Sequence, residues 1–168
     1  METLLLQFFA SQLAIFFLTF IFPLYTLYIL WRNEWKVLHS ISDSWYLLKQ
    51  RGKGEEILFT LFCYILGFGL VLQYPYSYLF FFGGMGLFWV GTYTQFRDVV
   101  TIKGTIHYLG AVIGIVLTLV GLSLNGIWLP LFIWVLGTSL MKLLRIKNFI
   151  WWVEILAFIV IIFGLYKL

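Results

Sequence analysis

Carboxyl and imidazole side chains are the groups of this sequence best suited to acid–base chemistry. Histidine and carboxylate residues are the usual proton donors and acceptors in enzymes. Four of them stand as candidate catalytic residues: Asp43, Asp98, His107 and Glu154. A candidate polar binding set consists of Ser42, Gln95, Arg97 and His107. These positions are far apart along the chain, so they form a site only if the elements that carry them meet.

The composition of the chain indicates the environment around these residues. Of its 168 residues, 62% are apolar and 11% are charged, whereas a soluble domain has about 45–50% apolar and about 25% charged residues. A small chain cannot hide so much apolar surface from water, because a domain of about 150 residues leaves roughly 30% of its unfolded-chain surface exposed. The composition therefore excludes a soluble enzyme and a disordered chain, and it predicts an integral membrane protein.

Long apolar segments divide the chain into six predicted helices. A membrane core is about 30 Å thick, so one helical span needs about 20 residues. Two uncharged segments of 40 and 38 residues, 57–96 and 104–141, are each long enough for two spans, with turn residues near the middle at Pro75 and at Asn125-Gly126. Pro23 is expected to kink the first helix or to end it early. The prediction is an all-α, six-helix transmembrane bundle in one domain, 1–168, with spans at about 4–31, 57–73, 76–96, 105–124, 127–144 and 149–166 and a basic loop at 32–56.

Basic residues lie almost entirely in the loops on one side of this topology. Ten of the 11 Lys and Arg residues fall there, and Lys167 alone falls on the other side. Because basic loops stay in the cytoplasm, this asymmetry predicts three cytoplasmic loops and two outside termini, in a plasma membrane or bacterial inner membrane. Tryptophans near both predicted boundaries fit an aromatic belt. They are Trp31, Trp35, Trp45, Trp151 and Trp152 on the cytoplasmic side and Trp128 on the opposite side.

On this topology the candidate catalytic residues all lie near the cytoplasmic face. Glu154 has the highest free-energy cost as a charged group, because it lies within the last predicted span, roughly 8 Å along the helix from the start of that span. It must face the bundle interior and find a partner, or be protonated. Each candidate also has a purely structural interpretation. A lysine or the membrane surface would satisfy Glu154; His107 would cap or pack at the interface; Asp98 would pair with Arg97 in a loop; and Ser42-Asp43 would cap a short helix that begins near Ser44.

Small and polar residues form a stripe along the fourth predicted span. The stripe comprises His107, Gly110, Gly114, Thr118 and Gly121, which recur at helical spacing. Small residues at this spacing let helices approach closely, so the stripe predicts packing within the bundle, with dimerisation as the alternative. A second stripe in the last span comprises Glu154, Ala157, Ile161 and Gly164. We expect the two stripes to face one interior.

The sequence offers no set of metal ligands at a recognised spacing. A catalytic zinc site usually has three protein ligands, whereas the chain has neither a His-x-x-x-His nor a Cys-x-x-Cys pair. It also lacks a glycine-rich phosphate loop and any nucleic-acid motif. We therefore predict no metal, no cofactor and no nucleic-acid partner. The expected partners are membrane lipids, with a protein partner or a homo-oligomer as further candidates.

Four short segments carry a resemblance to a known family. They are Ile41-Ser42-Asp43, Gly54-Glu55-Glu56-Ile57-Leu58-Phe59, Gly91-Thr92-Tyr93-Thr94-Gln95-Phe96 and His107-Tyr108-Leu109-Gly110-Ala111. Over roughly residues 40–115, the chain resembles the FRAG/DRAM/Sfk superfamily of six-span proteins and its small bacterial relatives. The resemblance implies a six-helix bundle with a role connected with membrane lipids or lipid-anchor processing. It also implies that Ser42, Asp43, Gln95 and His107 form a linked polar cluster.

Three functions fit these features, and they differ in whether they need a cavity. The first is lipid binding or partner scaffolding in the membrane, which fits the aromatic content of 21%. The second is a lipid-modifying or lipid-hydrolysing enzyme, in which the candidate catalytic residues supply the acid–base groups. The third is a small proton- or solute-coupled transporter with Glu154 and His107 as a relay. The enzyme and the transporter need a water-filled cavity that opens to the cytoplasm.

Overall fold

The computed structural model describes the backbone of residues 2–52, 54–94 and 101–168, and their side chains from residue 8 onward except at residue 10. Over these ranges the protein is all-helical, with seven helices and no strand, so the predicted all-α class is confirmed. The helices are α1 (Glu2–Arg32), α2 (Ser44–Arg51), α3 (Ile57–Val71), α4 (Tyr78–Thr92), α5 (Ile102–Leu124), α6 (Leu129–Leu143) and α7 (Phe149–Leu165).

Each of the six predicted spans overlaps one of these helices, and α2 is the short additional helix expected near Ser44. The turn residues act as predicted: α5 ends directly before Asn125, and Gly126 has a φ of 82°, which glycine adopts without strain. Pro130 lies in the first turn of α6, where its missing N–H costs no hydrogen bond.

Among the described helices, two are long and apolar enough to cross a membrane, over Ser11–Arg32 and Ile102–Leu124. The other four apolar helices have 15 to 17 residues.

Helix α1 continues through Pro23, so the prediction that it ends early is wrong. Proline lacks the N–H that bonds to the carbonyl four residues back, a loss that usually costs about 3 kcal/mol or more. Buried aromatic contacts on both sides of Pro23 offset this loss. Phe22 packs against Phe158 with ring centroids 4.9 Å apart, and Tyr25 stacks on Phe62 at 4.1 Å.

Glycines bring α4 and α5 into backbone contact. A Cβ atom added at Gly110 would lie 2.6 Å from the carbonyl oxygen of Gly86, and one added at Gly86 would lie 2.6 Å from that of Gly110. Gly83 of α4 abuts Thr118 and the carbonyl of Gly114 in the same way. The small-residue stripe of α5 therefore packs within the chain, as predicted, and its partner is α4.

A buried polar pair fastens α1 to the turn between α3 and α4. The hydroxyl of Ser11 donates to Oε1 of Gln73 at 2.8 Å, and Nε2 of Gln73 donates to the carbonyl of Ser11 at 3.3 Å. Both side chains are buried, and Gln73 is completely so. The sequence pattern indicates only a turn near Gln73, whereas in the fold its amide group joins this turn to α1.

The tryptophans expected in an aromatic belt fall into two groups. Trp45 and Trp151 are buried, at 7% and 2% exposure, so the belt prediction is wrong for these two. The segment before α2 reaches the beginning of α7, where the carbonyl of His39 accepts from the backbone N–H of Trp151. The other four are exposed: Trp31, Trp35, Trp128 and Trp152.

Candidate functional site

The segment 37–43, which we call loop 37–43, lies along the first turns of α7. A helix leaves its first backbone N–H groups without partners, and a buried helix end must satisfy them. Glu154 accepts from a backbone N–H here and forms no ion pair with a lysine among the described residues, so the lysine interpretation is wrong. Three hydrogen bonds make the contact: Asn148 Nδ2 to the Val37 carbonyl at 3.1 Å, the Trp151 N–H to the His39 carbonyl at 2.9 Å, and the Ile41 N–H to Glu154 Oε2 at 2.5 Å.

The imidazole of His107 joins α5 to loop 37–43. Its Nδ1 lies 2.9 Å from the carbonyl oxygen of Tyr93, and its Nε2 lies 3.0 Å from Oγ of Ser42. A carbonyl oxygen can only accept a hydrogen bond, so Nδ1 carries the proton. In the neutral ring Nε2 is then the acceptor, and the Ser42 hydroxyl donates to it. His107 is buried with 2% exposure, which holds this arrangement in one orientation.

Asp43 stands at the beginning of α2, but its side chain makes no capping hydrogen bond, so the capping interpretation is wrong for this residue. A capping residue normally has an extended backbone, whereas Asp43 has the helical values φ −63° and ψ −16°. Its Oδ2 instead accepts from the hydroxyl of Ser40 at 3.3 Å, and Ser40 Oγ accepts from the Asp43 N–H at 3.1 Å. Loop 37–43 is thus also fixed by hydrogen bonds within itself.

A pocket of about 580 Å³ lies beside these groups, between α5 and the beginning of α7. Its polar end is lined by His39, Ser40, Ser42, Asp43, His107 and Glu154. From there an apolar wall follows α5 to Val116, which is nine residues beyond His107, or about 13 Å at the helical rise. Tyr108, Val112 and Val116 are lining residues that are also exposed, so the pocket opens sideways at the surface of the bundle. The opposite wall is formed by Trp134, Ile150 and Val153.

A small inner cavity of about 30 Å³ lies behind the pocket. Ser42 and Glu154 line both spaces, and the rest of the inner wall is almost entirely apolar, including Phe59 and the buried Cys63. A cavity of this size can hold one water molecule where polar partners are present. Ser42 and Glu154 are therefore the two polar residues that line both the pocket and the smaller cavity.

The structure brings together four of the residues that the sequence singles out. Ser42, Asp43, His107 and Glu154 line one pocket. The two stripes therefore share an interior at their N-terminal ends, whereas the glycines of α5 contact α4. The remaining candidates, Gln95, Arg97 and Asp98, lie outside the described residues, as does the expected ion pair between Asp98 and Arg97.

Sequence reasoning missed the two backbone groups on which the site depends. These are the carbonyl of Tyr93, which fixes the His107 ring, and the N–H of Ile41, which binds Glu154. Backbone groups are the same in every residue, so no sequence pattern marks them. The sequence also gave no indication of a role for Trp134. Its indole Nε1 lies 3.4 Å from the carbonyl of Val153, and both residues belong to the pocket wall opposite α5.

The described residues contain no cluster of three or more His, Cys, Asp or Glu side chains that could hold a metal ion. No Lys or Arg lines the pocket within the part of the chain that the structure describes. No family model, curated protein or solved structure matches this chain. Function is therefore inferred from the geometry of the pocket itself.

Proposed function

We propose that this protein crosses a membrane with six helices and binds an amphiphilic lipid in the side-opening pocket. The head group lies at the polar end, against Ser42, Asp43, His107 and Glu154, and the chain lies along α5. One observation carries the proposal: the lining changes from polar to apolar along a pocket whose mouth opens on the outer surface of the bundle. This distribution matches a molecule with a polar head and an apolar chain.

The outer surface of the bundle supports six spans. Large apolar side chains are exposed along its helices, and an extended apolar surface of this kind is stable against lipid rather than water. The four shorter helices have 15 to 17 residues, which gives about 23–26 Å at the helical rise. A bilayer thins locally around spans a few ångströms short of its core of roughly 30 Å. Representative exposed residues are Phe9, Leu24, Phe132, Leu136 and Leu140.

The size of the pocket fits one lipid chain with its head group. Ligand pockets usually enclose about 300–1,000 Å³, and the volume of about 580 Å³ lies within this range. A sideways opening lets a lipid move in from the bilayer without crossing water. Lipid binding also agrees with the resemblance to the FRAG/DRAM/Sfk superfamily, which we retain as part of the proposal.

Photocrosslinking tests the binding proposal. The probe is a monoacylglycerol with a diazirine in its chain, whose hydroxyl groups can pair with both imidazole and carboxylate. We expect the full chain in lipid nanodiscs to be crosslinked at the wall of α5 between Tyr108 and Val116. Val112→Trp places a large ring at the mouth and should remove most of this crosslinking.

The matched control is Leu109→Trp, because Leu109 is exposed on the same helix but does not line the pocket. This variant should crosslink as the unmodified protein does. Equal crosslinking along all outward helix faces, unchanged by Val112→Trp, would mean that the probe reports only the surrounding bilayer. That result would overturn the binding proposal.

We also propose that loop 37–43 faces the cytoplasm, because the basic loops share its side. Single cysteines test the orientation in a Cys63→Ala background, one at Glu34→Cys in the basic loop and one at Asn125→Cys in the turn between α5 and α6. A membrane-impermeant maleimide should label the cysteine at 125 in intact cells and the one at 34 only after permeabilisation. The reverse order would show that the pocket lies on the outer side.

A further inference from the structure

We infer that Ser42 and His107 form a catalytic pair that hydrolyses the acyl ester of a lipid bound in the pocket. The inference rests on the proposed function, because the bound amphiphile is the substrate. Ser42 is the nucleophile, His107 is its general base, and the carbonyl of Tyr93 is the positioning group. The substrate class is a single-chain glycerol ester, with water as the second reactant.

The geometry of three groups supports this assignment. A serine nucleophile is activated when a base lies within hydrogen-bond reach and a third group orients the base. Ser42 Oγ lies 3.0 Å from Nε2 of His107, and Nδ1 of the same ring lies 2.9 Å from the carbonyl oxygen of Tyr93. The carbonyl fixes the proton on Nδ1, so Nε2 keeps the lone pair that removes a proton from Ser42.

The position of Ser42 also distinguishes it from a serine that only joins two elements. The neighbouring Ser44 is such a serine: it is completely buried and its Oγ lies 2.6 Å from the hydroxyl of Tyr25. Ser42 instead lines the open pocket on one side and the water-sized inner cavity on the other. An ester at the polar end of the pocket therefore reaches its hydroxyl group. The bond from Ile41 to Glu154 holds the adjacent backbone in place.

The reaction proceeds in two balanced steps. In the first, Oγ of Ser42 forms a bond to the ester carbonyl carbon while its proton moves to Nε2 of His107. The bond from that carbon to the alcohol oxygen then breaks, and the alcohol leaves with the proton from Nε2. In the second step, water attacks the acyl-serine and gives a proton to Nε2. The fatty acid leaves as this proton returns to Ser42 Oγ.

A fluorophosphonate with a long alkyl chain tests the nucleophile directly. Serine attack forms an Oγ–phosphorus bond and releases fluoride, so the label remains on the residue that reacted. We expect mass spectrometry of the labelled full chain in nanodiscs to identify Ser42. Ser42→Ala should abolish labelling and the release of fatty acid from monoacylglycerol. His107→Ala should slow both by about 100-fold or more, the usual contribution of a general base.

The control is Ser123→Ala, a buried serine of α5 that lies about 24 Å along the helix from His107. It donates to the carbonyl of Leu119 and does not line the pocket, so this variant should react as the unmodified protein does. Because the labelled residue is identified in the unmodified protein, the test does not depend on the folding of a variant. Labelling elsewhere, or none at all, would overturn the catalytic assignment.

The same samples separate this inference from the proposed function. If the unmodified protein is crosslinked but is neither labelled nor able to hydrolyse the ester, the lipid-binding proposal is retained. The catalytic assignment of Ser42 and His107 is then overturned. Loss of crosslinking in the unmodified protein would overturn both.

Discussion

The backbone N–H of Ile41 donates to the Glu154 carboxylate at 2.5 Å, although the two residues lie 113 positions apart. This bond ties loop 37–43 to α7 at the wall of the pocket. It satisfies the N–H of a residue with only 3% exposure. It also gives a carboxylate within an apolar helix a defined partner, which such a group needs because an isolated charge there is costly.

The first prediction concerns this bond. Glu154→Leu removes the acceptor and leaves the buried Ile41 N–H without a partner, which should lower the free energy of unfolding by about 1–3 kcal/mol. Glu154→Gln keeps an oxygen acceptor and should retain most of the stability. Unfolding of the purified variants in mixed micelles with increasing SDS measures the difference. Equal stability of the two variants would show that the bond contributes nothing.

The contact between α4 and α5 gives the second prediction. Gly110→Ala forces a methyl group against the backbone carbonyl of Gly86, which cannot rotate away. Overpacking of this kind costs about 1–3 kcal/mol, more than the gain of about 1 kcal/mol from the helix propensity of alanine. Gly137→Ala is the matched control, because its methyl group meets only the end of the flexible Leu156 side chain. We expect Gly110→Ala to be the less stable variant in thermal unfolding, and the opposite order would contradict the backbone contact.

The polar pair between α1 and the turn after α3 gives the third prediction. Ser11→Ala and Gln73→Leu should each destabilise the protein, and together they should cost less than the sum of the two. Interhelical hydrogen bonds in membrane proteins couple by about 0.6 kcal/mol on average, with a maximum near about 1.7. We expect a coupling near this average, because Ser11→Ala removes only the bond between the two side chains, and the Ser11 carbonyl still accepts from Gln73. Additive effects in the double-mutant cycle would argue against the pair.

The fourth prediction is a pH dependence at the end of α1. The Arg32 guanidinium donates to both carboxylate oxygens of Glu55 at 2.6 Å, which holds the pKa of Glu55 below its ordinary value. A carboxyl group with a depressed folded-state pKa stabilises the fold above its unfolded-state pKa of about 4.3. This contribution is lost as the pH falls through the folded-state pKa.

We therefore expect the melting temperature of the unmodified protein to fall more steeply on acidification below about pH 4.3 than that of Glu55→Gln. Glu56→Gln is the control, because Glu56 forms no ion pair among the described residues. It should keep the acid sensitivity of the unmodified protein. Identical acid profiles for Glu55→Gln and the unmodified protein would contradict the assigned role of the Arg32 contact.

The sequence by itself determined the helices of this protein, because the signals for a helix are local. Uncharged segments long enough for one or two spans show where the helices form. Asn125-Gly126 marks the end of α5, and Pro130 marks the beginning of α6. The aromatic-belt rule failed at Trp45 and Trp151, and at Pro23 the helix continues instead of ending. In those places packing between distant segments outweighs the preference of the single residue.

The tertiary structure alone decided how the candidate residues act together. Ser42, Asp43, His107 and Glu154 could be named from their side chains, but the partners of His107 and Glu154 include a carbonyl and an N–H that belong to other elements. The pocket likewise depends on the path of loop 37–43 over α7 and on the separation of α5 from α7. These are distances between segments remote in sequence, set by the packing of the whole bundle, and no local pattern of residue types encodes them.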